Sequence, residues 1–250
     1  MPLEFYTYLI LGAALGGLIN GLAGFGTALF ALGFWLQTMP PLQAVSMVVV
    51  MSVASGLQGV WLVRETIADH PRRLMRFLLP ALPGIPLGMA ALTIVPAEVL
   101  KGMIAGFMIL YGGFFAFRSA LPHIDRPIPV LDSVIGFLGG LLGGAASLSG
   151  ALPTMWCAMR PRSKAETRAV LQPFNVVVLG LALVAFTVKG AYTCEVIKLI
   201  AIALPATMIS AQIGISIFKH LNDNQFRRLI IVLMFVSGIV LMLREAANWF

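Results

Sequence analysis

The chain has 250 residues, 59% of them hydrophobic and 11% charged, with a mean hydropathy of +0.94 and a formal net charge of +7. A soluble domain of this length cannot hide that much apolar surface, so the composition excludes a soluble enzyme or a nucleic-acid binder and points to a polytopic membrane protein with almost no extramembrane domain. The positive charge is concentrated in loops, where it sets topology and meets anionic lipid headgroups.

The opening residues carry Glu4 and no Lys or Arg, unlike the basic start of a signal peptide, so the first apolar segment is expected to stay in the mature chain. That segment, 5–36, exceeds the roughly 20 residues of one crossing. It is interrupted by Gly16, Gly17, Gly21, Gly24 and Gly26 and by Asn20, and is closed by Pro40 and Pro41. A bent hairpin of two short helices is the expected form. Spans follow at 42–63, 77–95 and 98–117, with a basic loop over 64–76. Pro80, Pro83 and Pro86 are expected to kink the second of these spans. A linker at 118–129 then joins a second half: a hairpin at 130–157, a basic loop at 160–168, and spans at 169–188, 196–218 and 228–243.

The halves are related. With an offset of 123, Gly17-Leu18 falls on Gly140-Leu141, Gly21 on Gly144, Ala23 on Ala146, and Ala28-Leu29 on Ala151-Leu152. Ala44-Val45 and Ala169-Val170, Leu82-Pro83 and Leu204-Pro205, and Gly112 and Gly238 recur in the same order. Four loops hold most of the basic residues: Arg64, Arg72, Arg73 and Arg76; Arg118 and Arg126; Arg160, Arg162, Lys164 and Arg168; Lys219, Arg227 and Arg228. Placing all four in the cytoplasm makes each half a returning hairpin plus three spans, and puts both termini in the periplasm. The fold class expected is an all-α membrane protein of two inverted-topology repeats, 1–117 and 130–250, each a glycine-broken helical hairpin plus three transmembrane helices.

These features resemble the sulfite exporter TauE/SafE family of small anion permeases. The likeness lies in the chain length, the duplicated apolar halves, the motif from Gly17 to Gly26, its second copy from Gly140 to Leu152, and Leu-Pro at 82–83 and 204–205. In the second copy, Ala145, Ala146, Ser147, Leu148 and Ser149 stand where the family usually has more glycine. The resemblance implies a transporter of sulfite, a sulfonate or a related organosulfur anion across the bacterial inner membrane.

Glycine-broken helices suit that chemistry. The first turn of a half-helix offers unpaired N–H groups and the positive end of its dipole, and glycine lets an anion approach the backbone. The two hairpin tips are expected to meet near the midplane. Asn20, Gly21, Gly24, Phe25, Gly26 and Thr27 of one, and Gly144, Ser147, Ser149 and Gly150 of the other, are expected to face the substrate. Ser46, Ser52, Ser55, Gln58, Gln172, Asn175, Ser210 and Gln212 are further polar residues within spans; they either line the path or bond helices together. Gln172 and Asn175 share a helix face and are assigned to the path. Glu98, Lys101, Asp132, Lys189, Glu195 and Lys198 fall near span ends, where snorkelling explains them.

Neither a cofactor nor a resident metal is expected. Other classes leave weaker marks. No His-Glu-x-x-His, paired Asp or Gly-x-Ser-x-Gly element suggests an intramembrane enzyme, the 13 methionines are scattered rather than pore-like, and ATP-driven transport would need a partner subunit because no Walker motif occurs. Uptake of another small organic anion, or passage of a metal ion, is the alternative to export of a sulfur anion. Gly112-Gly113 and Gly136-Gly140 are candidate contacts of a homodimer, and Cys157 and Cys194 fall on opposite sides of the bilayer, too far apart to pair.

Overall fold

The computed structural model describes residues 3–69, 71–94, 128–160, 163–226, 228–233 and 236. All regular structure among them is helical. In chain order the helices are α1 (Leu3–Ala23), α2 (Thr27–Trp35), α3 (Pro41–Leu62), α4 (Arg64–Asp69), α5 (Pro71–Ile94), α6 (Pro129–Ala146), α7 (Ala151–Ala158), α8 (Lys164–Val188) and α9 (Cys194–His220), followed by helical residues at 223–226 and 228–233. Within α1, α3, α5, α8 and α9 lie five stretches long and apolar enough to cross a membrane. The expected span 98–117, most of the linker 118–129 and the end of the span 228–243 lie outside the described residues.

The outside of the bundle is as apolar as the inside. Trp61, Leu79, Val184, Val188 and Ile209 are largely exposed, a distribution that water would penalise and lipid would not. Polar side chains are turned inward instead, with Asn20, Thr27, Ser52, Gln172 and Asn175 all buried.

Two helix pairs pack through glycine. Gly17 and Gly21 of α1 lie directly on the backbone of Thr207 and Ala211 in α9, and Gly214 of α9 returns the contact against Leu18 and Leu22. Gly136, Gly140 and Gly144 of α6 lie on the carbonyls of Phe77, Ala81 and Ile85 in α5, where Gly84 and Gly88 reciprocate. Both pairs run parallel, since the contacts rise together in number along each helix. Close backbone approach of this kind replaces the hydrophobic drive that lipid cannot supply. It also corrects one expectation: Gly136 and Gly140 are occupied within the chain and are not free for a dimer contact.

Helices α3 and α8 pack antiparallel through the middle of the molecule. Gly56 lies on Val176 and Gly59 on Gln172, while at the far end the Tyr192 hydroxyl donates to the Ser46 carbonyl at 3.2 Å. Tyr192 sits in the connection between α8 and α9, and burial pushes its phenol up to about 12.

The helix limits differ from the sequence expectation in two places, both rich in charge. The stretch read as a loop over 64–76 is helical in α4 and in the start of α5. The stretch read as a loop over 160–168 contains the first turns of α8, begun by a capping box in which Ser163 and Glu166 each satisfy the other's backbone N–H. Charged residues signalled loop, but Arg64, Arg72, Arg73 and Arg76 in the one place and Lys164, Glu166 and Arg168 in the other lie on helix extending beyond the apolar run. The hairpins, too, have unequal arms rather than two short ones: α1 and α6 are long, α2 and α7 short. Helix α5 continues through Pro80, Pro83 and Pro86. Pro83 and Pro86 lie exposed on the face away from Gly84 and Gly88, so their rings do not disturb the α6 contact.

Candidate functional site

Each long hairpin arm ends in a backbone reversal. After Ala23 the chain passes through Gly24 and Gly26, whose φ values of 86° and 98° are ones that L side chains rarely adopt. After Ala146 the turning residue is Ser147, the one non-glycine described residue with positive φ, at 58°. A side chain held there costs about 1–2 kcal/mol relative to an ordinary conformation.

The arms then restart as α2 and α7, and the two tips touch: Gly150 approaches Phe25 so closely that an added Cβ would lie 2.7 Å from the phenyl-bearing Cβ. Neither Gly26 nor Gly150 supplies a side-chain cap, and at the start of α7 the Ala151 N–H donates to the Leu148 carbonyl at 3.3 Å. The first turns of both short helices, at Gly26 to Leu29 and at Gly150 and Ala151, line one small cavity together with Phe25, Ser52, Ser147, Leu148 and Asn175. Ser52 and Asn175 belong to the middles of α3 and α8, which puts the cavity at mid-depth. A water-sized sphere has about 10 Å³ in which to place its centre, room on the order of one water. A larger guest requires the tips to move apart.

The lining holds hydroxyls, an amide and two helix N-termini and, among the described residues, no carboxylate. Thr27 Oγ1 and Ser147 Oγ are buried with no partner among the described residues, an arrangement that costs about 1–3 kcal/mol per group when left unsatisfied. Ser149 Oγ donates to Asn175 Oδ1. With that oxygen occupied, the Asn175 amide nitrogen is the group left to offer the cavity. The donors and dipoles all favour a negative guest.

Of the residues singled out in the sequence, Phe25, Gly26, Thr27, Ser147, Gly150 and Asn175 line this cavity. The others lie beside it. Asn20 donates its amide to the Ser52 carbonyl at 3.2 Å and to Ser55 Oγ at 2.6 Å, tying α1 to α3. Gly21 and Gly144 are consumed in the α1–α9 and α5–α6 contacts. Ser149 orients Asn175. Gly24 packs against Gln172, whose amide nitrogen and oxygen are both buried without partners among the described residues.

Three buried charged groups, Arg168, Asp132 and Arg160, escaped sequence reasoning. Arg168, counted among loop cations, is fully buried in α8; its guanidinium donates to the carbonyls of Gly21, at 2.7 Å, and of Leu22, at 3.5 Å, and stacks 4.3 Å from the Phe218 ring. The capping box at Ser163 and Glu166 was the signal that would have placed it inside a helix. Asp132, read as snorkelling, is buried at the base of the second hairpin. It accepts from Trp156 Nε1 at 2.5 Å and pairs with Arg160 at 3.4 Å. Lys189, Glu195 and Lys198 are exposed at helix ends, as snorkelling requires.

Apolar helices of membrane length enclose a cavity at the meeting point of two broken hairpins, an arrangement that suits a membrane transporter. A model of the sulfite exporter TauE/SafE family matches residues 9–241, nearly the whole chain, and the chain belongs to that family. Comparison with curated proteins gave no match, and comparison with solved structures gave none either.

Proposed function

We propose that the protein is a secondary transporter or facilitator that exports small sulfur-containing anions, such as sulfite or a sulfonate, through the cavity between the hairpin tips. The observation that carries this reading is the pair of buried hydroxyls of Thr27 and Ser147, without partners among the described residues, set beside the N-termini of α2 and α7. An oxyanion supplies the acceptors that these groups lack. Export follows from the membrane potential: an anion leaving a negative interior gains roughly 2.3 kcal/mol per charge per 100 mV.

The same reading takes the halves as inverted repeats, 1–117 and 130–250, in a bacterial inner membrane with both termini periplasmic. It is supported by the matching ends of α1 and α6 at Ala23 and Ala146 and by the opposite directions of the two hairpins. The Arg73–Glu166 ion pair and the Lys164–Asp223 contact also gather three of the four basic clusters at one end of the molecule, as a common cytoplasmic side requires.

Purified protein in liposomes loaded with sulfite tests the proposal. Efflux that follows an imposed potential, and falls at least tenfold in the double variant Thr27→Val, Ser147→Gly, supports it. Efflux unchanged in that variant, or absent at either potential, removes the assignment of the cavity.

A further inference from the structure

Helix α8 carries four polar side chains on one face, Lys164, Arg168, Gln172 and Asn175, spaced by four, four and three residues. They descend from the basic end of the molecule to the cavity. Lys164 is half-buried and donates to the last carbonyls of α9, at Phe218 and Lys219, both at 3.2 Å. Arg168 is wholly buried, Gln172 likewise, and Asn175 lines the cavity itself.

The middle two are the unusual members. A buried guanidinium ordinarily has a carboxylate beside it, because an ion removed from water costs several kcal/mol. Arg168 has none among the described residues: its partners are two neutral carbonyls and an aromatic face, and its Nε is buried without an acceptor. One turn deeper, Gln172 lies against Gly24 and Gly59 with both ends of its amide unsatisfied. Capping the C-terminus of α1 accounts for two of the Arg168 N–H groups. It accounts neither for Nε nor for Gln172.

We propose that Arg168 and Gln172 form a second anion subsite, between the basic end of the molecule and the tip cavity, and that Arg168 supplies the positive charge that selects anions over cations there. The inference rests on the reading of the cavity as the substrate site and extends it by one station along α8. An oxyanion at this station gives Arg168 Nε and the Gln172 amide nitrogen an acceptor. It also competes with the Gly21 and Leu22 carbonyls for the guanidinium, so occupancy loosens the end of α1 next to the hairpin tip.

The test is sulfite binding to purified protein by calorimetry, with thermal stability and liposome efflux measured alongside. Arg168→Met is expected to weaken binding at least tenfold and to raise KM more than it lowers kcat, and Arg168→Lys to restore binding to within about threefold of native. Gln172→Leu serves if Arg168→Met does not fold. Having no bonds to lose, it should melt at or above the native temperature while binding sulfite at least threefold more weakly. Native affinity in folded Arg168→Met, or in Gln172→Leu, overturns the subsite. Thr27→Val separates the two readings: weakened binding there, with native affinity in the α8 variants, leaves the cavity standing and removes the subsite alone. Absence of sulfite binding to the native protein removes both.

Discussion

At position 147 the backbone and the side chain both work against stability. Ser147 occupies a backbone conformation that glycine would adopt freely, and its hydroxyl has no partner among the described residues. Ser147→Gly is therefore expected to raise the melting temperature of the detergent-solubilised protein, by the equivalent of about 1 kcal/mol, while reducing sulfite affinity about tenfold through loss of one hydrogen bond to a charged guest. A rise in stability with affinity intact would remove Ser147 from the site. Gly26 gives the opposite case. Its φ of 98° is one that L side chains rarely adopt, and Gly26→Ala should cost about 1–2 kcal/mol in the same melting experiment. The tips were legible in the sequence because glycine, serine and asparagine weaken an apolar helix and so mark the place where it breaks. Which of them face the cavity was not legible, because the Asn20 amide nitrogen and the Ser149 hydroxyl are taken up by neighbours from α3 and α8, a matter of tertiary packing.

Among whole elements, the paired glycine contacts distinguish helices that interlock from helices that lean on lipid. Gly21→Ala places a methyl on the Ala211 carbonyl and should separate α1 from α9, with loss of folded protein on size-exclusion chromatography. Gly180, also within a helix, has nothing within 4 Å of an added Cβ, so Gly180→Ala should stabilise α8 by about 0.5–1 kcal/mol on thermal melting. Spans α3 and α9 were readable nearly to the residue from hydropathy. The starts of α5 and α8 were not, since they extend the helix beyond the apolar run into charge. The capping box of α8 was present in the sequence, but the weight given to Arg and Lys as loop markers concealed it, and Arg168 with it. Ser163→Ala should cost about 1 kcal/mol by removing that cap.

For the molecule as a whole, the connection between α8 and α9 contributes to how stability depends on pH. The Tyr192 phenol titrates near 10 when unfolded and near 12 in the fold because burial disfavours its anion. The unfolded chain therefore releases its proton first, and the contribution of Tyr192 is complete below pH 10 and lost as pH rises from 10 to 12. Melting temperatures across that range should fall in the native protein and fall less in Tyr192→Phe.

The glycine contacts also join the halves crosswise. The first hairpin is clasped by α9 of the second half and the second hairpin by α5 of the first, so neither half owns a complete wall around its own broken helices. Severed between residues 120 and 121, the two fragments would be partners in complementation: each rapidly degraded alone, and a working transporter recovered when both are made in one cell.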